Sequence, residues 1–332
     1  MARHAVTGAD HDVVRPFLPE DTPQVLDLLS ASLGWVPDDH HAAFFAWKHS
    51  ANPFGPTLAW VAERAGRVIG FRAFLRWEFE QPGAVLLAVR AVDTATAPEA
   101  RGAGVFTRLT RLGLEALPGE GVRFVFNTPN DQSRPGYLKM GWQEVGRVPV
   151  QVRLASPGSL LRVVGARTAA DLWSLPSEAG APAGDVLADG PAVAALLRSR
   201  PPPAGLRTRL SPDVLRWRYA GLPALGYRAL PGPGGVAGGL ALFRLRRRGG
   251  AVEAMLGDVL APGGDVRLAA RLARDVLRAT GADYAVATGG RRWRGFAPLP
   301  GHGPILAWRA AGAGGRPPIR AWDLSLGDVE LF

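Results

Sequence analysis

Arg101-Gly102-Ala103-Gly104-Val105-Phe106-Thr107 follows a run of strand-forming residues, Val85 to Thr96, and opens an amphipathic segment, Phe106 to Leu117. The order is strand, glycine turn, helix. Such a turn directs unpaired backbone N–H groups outward at the positive end of a helix, and the two glycines let a ligand come close to the main chain, which suits phosphate oxygens. No Gly-Lys-Ser/Thr follows, as a P-loop requires, and no third glycine completes a dinucleotide fingerprint. An ordinary turn before a surface helix carries the same residues, so the flanking sequence has to decide between the two readings.

Upstream stand Pro98 and Glu99. Downstream come a second strand, Val122 to Phe126, then Asn130, then Tyr137-Leu138-Lys139-Met140-Gly141-Trp142. The chain also begins with Val13-Val14-Arg15-Pro16, Asp21 and the apolar positions Val25, Leu26, Leu28 and Leu29. In this order and spacing, residues 12–150 resemble the GCN5-related N-acetyltransferases (GNAT), whose coenzyme A pyrophosphate loop is written Arg/Gln-x-x-Gly-x-Gly/Ala. Arg101 and Gly104 fit that loop, and Asn130, Tyr137 and Gly141 fit the later motif. Phe106 departs from the small residue usual in the family, and Trp142 replaces a phenylalanine.

The 332 residues exceed one ordinary domain, and 47% are hydrophobic, so a large core is expected. No uninterrupted apolar run approaches the ~20 residues of a membrane helix. Met1 to Asp12 lacks the apolar centre of a secretory signal. Cysteine is absent, which excludes disulfides, thiolate nucleophiles and cysteine metal sites. A cytoplasmic location with no membrane partner is the expectation. The net charge of +10 divides unevenly: residues 1–150 hold 15 Lys+Arg against 16 Asp+Glu, and residues 151–332 hold 24 against 13. Arg244, Arg246, Arg247 and Arg248 form a local cluster, yet the excess fits an interspersed, composition-driven surface better than a nucleic-acid face.

The pattern is written twice. Asp12-Val13 recurs as Asp185-Val186, Val25, Leu28 and Leu29 as Val193, Leu196 and Leu197, Trp47-Lys48-His49 as Trp217-Arg218-Tyr219, and Val68-Ile69-Gly70-Phe71 as Val236-Ala237-Gly238-Gly239. Asp93 near Pro98 recurs as Asp258 near Pro262. The expected division is a catalytic domain over 12–150, a linker with a short helix around Leu160 to Leu172 over 151–183, and a second, degenerate copy over 184–332. Pro201-Pro202-Pro203 reads as a rigid extended connection. The copies differ where chemistry belongs. Gly263-Gly264-Asp265-Val266 lacks the arginine and puts a carboxylate where a phosphate would sit, and Thr288-Gly289-Gly290-Arg291 has no counterpart of Asn130 or Tyr137. The fold class is α/β, with a mixed, mostly antiparallel sheet flanked by helices in each copy. Segments Leu58 to Glu63 and Arg67 to Phe79 read as antiparallel strands about the turn Ala65-Gly66, and the strands ending at Thr96 and Phe126 as adjacent and parallel.

The resemblance implies acetyl-CoA as acyl donor, an unidentified amine acceptor, no metal and a possible homodimer. It implies that the pantetheine arm binds the backbone of Thr94, Ala95 and Thr96, and that the pyrophosphate binds Arg101 and the amides of Gly102, Ala103, Gly104, Val105, Phe106 and Thr107. Tyr137 is then the acid that protonates the departing thiolate, with a packed tyrosine as the alternative. Asn130 either holds the cofactor arm or serves as a turn residue. For the base, Asp93 ranks first, before Glu78 and the pair His40 and His41; each can also be structural, Asp93 as a loop cap and Glu78 and Glu80 as solvent-facing strand residues. Trp35, Phe44, Phe45, Trp47 and Phe54 line an acceptor pocket or pack a core, and the recurrence of Trp47 as Trp217 favours packing. Two rival activities remain at this stage. One is an aminoacyl-tRNA-dependent transferase built from tandem copies of the same fold; the other is a non-catalytic acyl-CoA-binding protein.

Overall fold

The computed structural model describes residues 12–33, 39–165, 168–288, 292–312 and 314–330. The first half runs β1 (Val13–Pro16), α1 (Thr22–Leu33), α2 (Asp39–His49), β2 (Leu58–Arg64), β3 (Arg67–Gln81) and β4 (Ala84–Thr96). It continues with α3 (Val105–Ala116), β5 (Phe124–Asn127), α4 (Arg134–Lys139) and β6 (Gln143–Arg147). Next come β7 (Val150–Leu154), α5 (Ser159–Gly165), β8 (Ala181–Pro182), α6 (Ala183–Leu187), α7 (Gly190–Arg198), β9 (Leu206–Thr208) and α8 (Pro212–Ala220). The remainder is β10 (Arg228–Gly232), β11 (Gly235–Arg248), β12 (Ala251–Leu260), α9 (Val266–Thr280), β13 (Tyr284–Thr288), β14 (Ala297–Pro298), β15 (Ile305–Ala310), β16 (Trp322–Asp323) and α10 (Leu326–Val329).

Two mixed sheets result, and they repeat one plan. The first has the order β1-β2-β3-β4-β5-β15-β6, with β9 and β16 at its side; the second has β8-β10-β11-β12-β13-β7-β14. In each, three antiparallel strands lead to a parallel pair connected through a helix: β4 to β5 through α3, and β12 to β13 through α9. The corresponding bulges also match. Asp93 is the extra residue between Val92 and Thr94 opposite Ala73 and Arg72, and Gly257 is the extra residue between Leu256 and Asp258 opposite Phe243 and Leu242.

The sheets exchange strands. β15, from late in the chain, lies between β5 and β6 of the first sheet, and β7, which follows the first half directly, lies beside β13 in the second. Sheet boundaries therefore do not coincide with chain positions 150 and 184, and the segment expected as a linker contributes a strand. Its helix is shorter than the sequence suggested, ending at Gly165.

Burial explains the layering. β3 is buried along most of its length, as a central strand must be. α3 buries Val105, Leu109, Gly113 and Leu114 at helical spacing against β3 and β2. α9 does the same with Ala269, Ala270, Leu272, Ala273, Val276 and Leu277. Between the sheets lies a third apolar layer, which includes Phe44, Trp47, Trp77, Phe79, Phe124, Trp217 and Trp322 and belongs to both halves. Phe44, Trp47 and Phe54 pack in or against this layer and Phe45 in the core under α1 and α3, so these aromatics are core; Trp35 lies outside the described residues. No helix among the described residues is long and apolar enough to cross a membrane.

Candidate active site

β4 and β5 pair only at Ala88–Phe124, Val89–Val125 and Arg90–Phe126, and beyond Arg90 they separate. The gap is a cleft of about 210 Å³ lined by Arg90–Thr94 on one side and by Asn127–Asn130, Ser133 and Tyr137 on the other. β4 continues past this lining to Thr96, and the glycine turn follows. Gly102 and Gly104 have φ of +81° and +75°, and residues 101–104 are exposed. Gly104 is the N-cap of α3 and offers no side-chain cap, so the first-turn amides have no acceptor of their own. A Cβ on Gly102 or Gly104 would meet open space; these glycines are needed for their left-handed backbone. Arg101 is exposed, with Nε 3.4 Å from the Thr96 carbonyl oxygen.

Tyr137 is buried at the opposite wall, and its hydroxyl accepts a 2.7 Å hydrogen bond from Arg72 Nη1. Its ring meets Phe106 edge-on at 5.8 Å and Trp142 at 5.0 Å. Asn130 Oδ1 accepts from Ser133 N–H and Oγ–H, both at 2.9 Å, so this oxygen organises the turn into α4 and the amide nitrogen is the group left for a ligand.

Both acids named for the base are occupied. Asp93 Oδ1 accepts from Lys48 Nζ at 2.9 Å, and Oδ2 accepts from His49 Nε2 at 2.8 Å. Burial acts to raise the Asp93 pKa, but the Lys48 charge and the His49 hydrogen bond outweigh it and hold the carboxyl well below the usual carboxylate range. A base must take up a proton near neutral pH, so Asp93 does not serve. Burial keeps His49 below its ordinary value; neutral, with its proton on Nε2, it can accept the Thr57 hydroxyl at Nδ1, 3.1 Å away. Glu78 lies six residues beyond Arg72 on β3, about 20 Å along an extended strand, and is paired with Arg209 at 2.8 Å. It is outside the cleft. His40 and His41 lie against Trp173.

Four contributors escaped the sequence reading. Arg72 and Lys48 are fully buried. Asn127 Oδ1, on the cleft wall, is buried without a hydrogen-bond partner among the described residues. Arg90 donates to the carbonyl oxygens of Asp328 and Val329 and to Thr128 Oγ1, which ties the last helix to the cleft. A charged residue inside an apolar strand was the available signal for Arg72.

A larger cavity, about 380 Å³, lies at the matching place in the second half, between Gly257–Ala261 and Thr288. Its helix start is already capped: Asp265 Oδ1 accepts from the N–H groups of Arg267 and Leu268, which places a carboxylate where an anion would bind. Phosphate chemistry therefore points to the smaller cleft. Among the described residues, no group of three or more His, Cys, Asp or Glu is arranged to hold a metal. The basic cluster is largely neutralised within the chain, since Arg246 and Arg248 pair with Glu253 and Arg244 and Arg246 with Glu330.

Residues 13–145 match the family model of the acetyltransferase (GNAT) domain. No curated protein matches the chain significantly. Among solved structures, a probable N-acyltransferase of Enterococcus faecalis is similar over 91% of this chain and 73% of its own, with 11% identity and a TM-score of 0.63. A GCN5-related N-acetyltransferase of Anabaena variabilis gives the same coverage with 13% identity and a TM-score of 0.62, and Eis1 of Mycobacterium abscessus covers 91% and 74% with 14% identity and a TM-score of 0.55. At these identities the likeness is one of fold. Residues 13–145 are thus similar to the acetyltransferase (GNAT) domain in sequence, and the chain shares its fold with these structures.

Proposed function

We propose that the protein transfers an acetyl group from acetyl-CoA to a primary amine by direct attack, in the cleft between β4 and β5. The observation that carries this reading is the uncapped start of α3 behind Arg101-Gly102-Ala103-Gly104, whose Phe106 ring meets the ring of Tyr137, a residue that lines the cleft. The amides of residues 102–107 and Arg101 take the pyrophosphate. The free edge of β4 at Thr94, Ala95 and Thr96 takes the pantetheine arm as an added strand and offers an N–H to the thioester oxygen. Asn130 contributes its amide nitrogen to the arm.

The neutral amine attacks the thioester carbon, the C–S bond breaks as the tetrahedral adduct collapses, and the Tyr137 hydroxyl delivers a proton to the sulfur and is recharged from solvent. The titratable side chains lining the cleft are Arg90, Asp93 and Tyr137, and with Asp93 held by Lys48 and His49 the proton of the incoming ammonium leaves through water. The second half shapes the acceptor side and binds no coenzyme, so the chain holds one acyl-CoA.

Calorimetry with acetyl-CoA, followed by a thiol-release screen against mixed amines, tests the reading. One site per chain is expected, with thiol release that depends on the amine. Tyr137→Phe should keep acetyl-CoA affinity and lower the single-turnover rate by roughly 10² to 10⁴. Two equivalent sites, no binding, or binding without release across the panel each overturns part of the assignment, and affinity for RNA in place of acyl-CoA replaces it.

A further inference from the structure

Arg72 is fully buried on β3, opposite Thr94 of β4, and among the described residues only one of its three guanidinium nitrogens has a hydrogen-bond partner. Nη1 donates to the Tyr137 hydroxyl, while Nε and Nη2 have no partner among the described residues. No carboxylate of the described residues lies within ion-pair distance. The guanidinium is instead enclosed by rings, 4.7 Å from the Phe74 centroid, 5.3 Å from Tyr137 and 5.7 Å from Phe106. Arginine keeps its charge in proteins, and an isolated buried charge is strongly unfavourable unless an anion meets it; aromatic faces compensate only in part.

A guanidinium has donors and no acceptor. Because it donates to the phenol oxygen, the phenol's own hydrogen cannot point at Arg72 and is turned elsewhere, and Tyr137 itself borders the cleft. We infer that Arg72 is a positioning residue that aims the Tyr137 proton into the cleft and keeps an unneutralised positive charge beside the place where the coenzyme's thiolate forms. The inference rests on the acyltransferase reading above. It also explains the departure at Phe106: a small residue there would leave the guanidinium without one of its enclosing rings, and the Phe106 ring closes over both Arg72 and Tyr137.

In the transfer step the C–S bond breaks and sulfur leaves with the electron pair. The Tyr137 hydrogen passes to sulfur, and the phenolate left behind faces the Arg72 guanidinium until water returns a proton. Both transient anions arise next to a cation already in place, so no reorganisation is needed at the moment of reaction. A purely structural arginine would instead need only its packing.

The test uses the full chain and free coenzyme A, so it requires no acceptor. The thiol of bound coenzyme A is titrated by the ultraviolet absorbance of its thiolate, with desulfo-coenzyme A as the blank. In the wild type the bound thiol should ionise at least one pH unit below free coenzyme A; Arg72→Met should abolish most of that shift, and Arg72→Lys should retain a substantial part. Circular dichroism and coenzyme A affinity establish that the variants fold and bind. Superimposable titrations of wild type and Arg72→Met overturn the role of Arg72. Should Arg72→Met fail to fold, the wild type alone still decides, because a bound thiol that ionises at or above the free one overturns the inference. Failure of the wild type to bind coenzyme A at all is a different result and sinks the acyltransferase reading itself.

Discussion

Trp47 and Trp217 hold each other by a reciprocal pair of hydrogen bonds: Trp47 Nε1 donates to the Trp217 carbonyl oxygen at 2.6 Å, and Trp217 Nε1 donates to the Trp47 carbonyl oxygen at 2.9 Å. The rings stack at 5.0 Å with 19° between planes. Each tryptophan occupies the same place in its half, on α2 and α8, so the contact lies on an approximate two-fold relation between the copies. The strand exchange follows the same relation, with β15 given to the first sheet and β7 to the second. The next residues have diverged. Lys48 and His49 both bind Asp93, whereas Arg218 binds the carbonyl oxygens of Gly327 and Glu330 and Tyr219 binds Asp258.

Replacing Trp47 by Phe preserves much of the stack but leaves the buried Trp217 carbonyl without its donor. The expected loss is about 1–3 kcal/mol, the cost of an unsatisfied buried polar group. The reverse change, Trp217→Phe, should cost a similar amount. Because the two bonds share one pair of rings, the double variant should lose less than the two single losses combined. Denaturant titrations of the four proteins measure this, and strict additivity would show that the pair does not act as a unit.

Gly70 fixes the start of α3. A Cβ at this position would lie 2.5 Å from Val105 Cγ1 and 3.0 Å from Leu109 Cδ1, so Gly70→Ala pushes the first turn of α3 off the sheet. We expect a destabilisation of about 1–3 kcal/mol from overpacking, together with weaker acetyl-CoA binding, because the turn carries the pyrophosphate amides. Gly104→Val acts differently: its Cβ has open space, but φ of +75° penalises a β-branched residue. It should weaken acetyl-CoA binding strongly, and Arg101→Ala should weaken it less. Calorimetry on folded protein separates the cases, and normal binding by Gly104→Val would remove the loop from the site.

Asp93→Asn isolates the charge of the Lys48–Asp93–His49 cluster. Asp93 has φ of +34°, a conformation asparagine tolerates as well as aspartate does, so the bulge geometry should survive. The change removes the charge that Lys48 Nζ and His49 Nε2 meet in the interior and should cost about 3–5 kcal/mol at neutral pH. The folded-state pKa of Asp93 is depressed, so its stabilisation is present above the unfolded value of about 3.9 and is lost as pH falls toward the folded value. The gap in melting temperature between wild type and variant should therefore be full at pH 6 and shrink steadily below about pH 4. A gap that does not change with pH would assign the effect to shape instead of charge.

The strands, the glycine turn and the duplicated helices were legible because each is written in local periodicity and turn chemistry. Val25, Leu28 and Leu29 on α1 and Val193, Leu196 and Leu197 on α7 announce the same amphipathic helix twice. The exchange of β7 and β15 was not legible, since alternating residues such as Val150 and Val152 fix which face of a strand is buried but not which sheet it joins. The site divides in the same way. The loop at 101–107 is one contiguous signal, whereas the fate of Asp93 depends on Lys48 and His49, more than forty residues earlier in the chain and brought to it by α2. Tyr137 was found by its spacing from Asn130, but Arg72, which orients it, comes from another strand, and its only trace was a charge within the apolar run Val68 to Phe74.

Asp258, one residue past the bulge that matches Asp93, shows the opposite titration. Burial, followed by the charge of Asp328, pushes its pKa up to about 7, and no cation among the described residues lies within ion-pair distance. A carboxyl whose folded pKa is raised binds its proton more tightly when folded, so its contribution to stability is present below the unfolded value of about 3.9 and is lost as pH rises through about 7. Wild type should lose stability across that window. Asp258→Asn keeps an acceptor for the Tyr219 hydroxyl and cannot ionise. It should match wild type near pH 4 and exceed it at pH 8, by about 1–2 kcal/mol, a figure kept small because Asp258 is partly open to the cavity. Thermal melts of both proteins between pH 4 and 8 read this directly. If the curves run parallel across the window, Asp258 is ionised throughout, and the second cleft must already supply a cation to meet it.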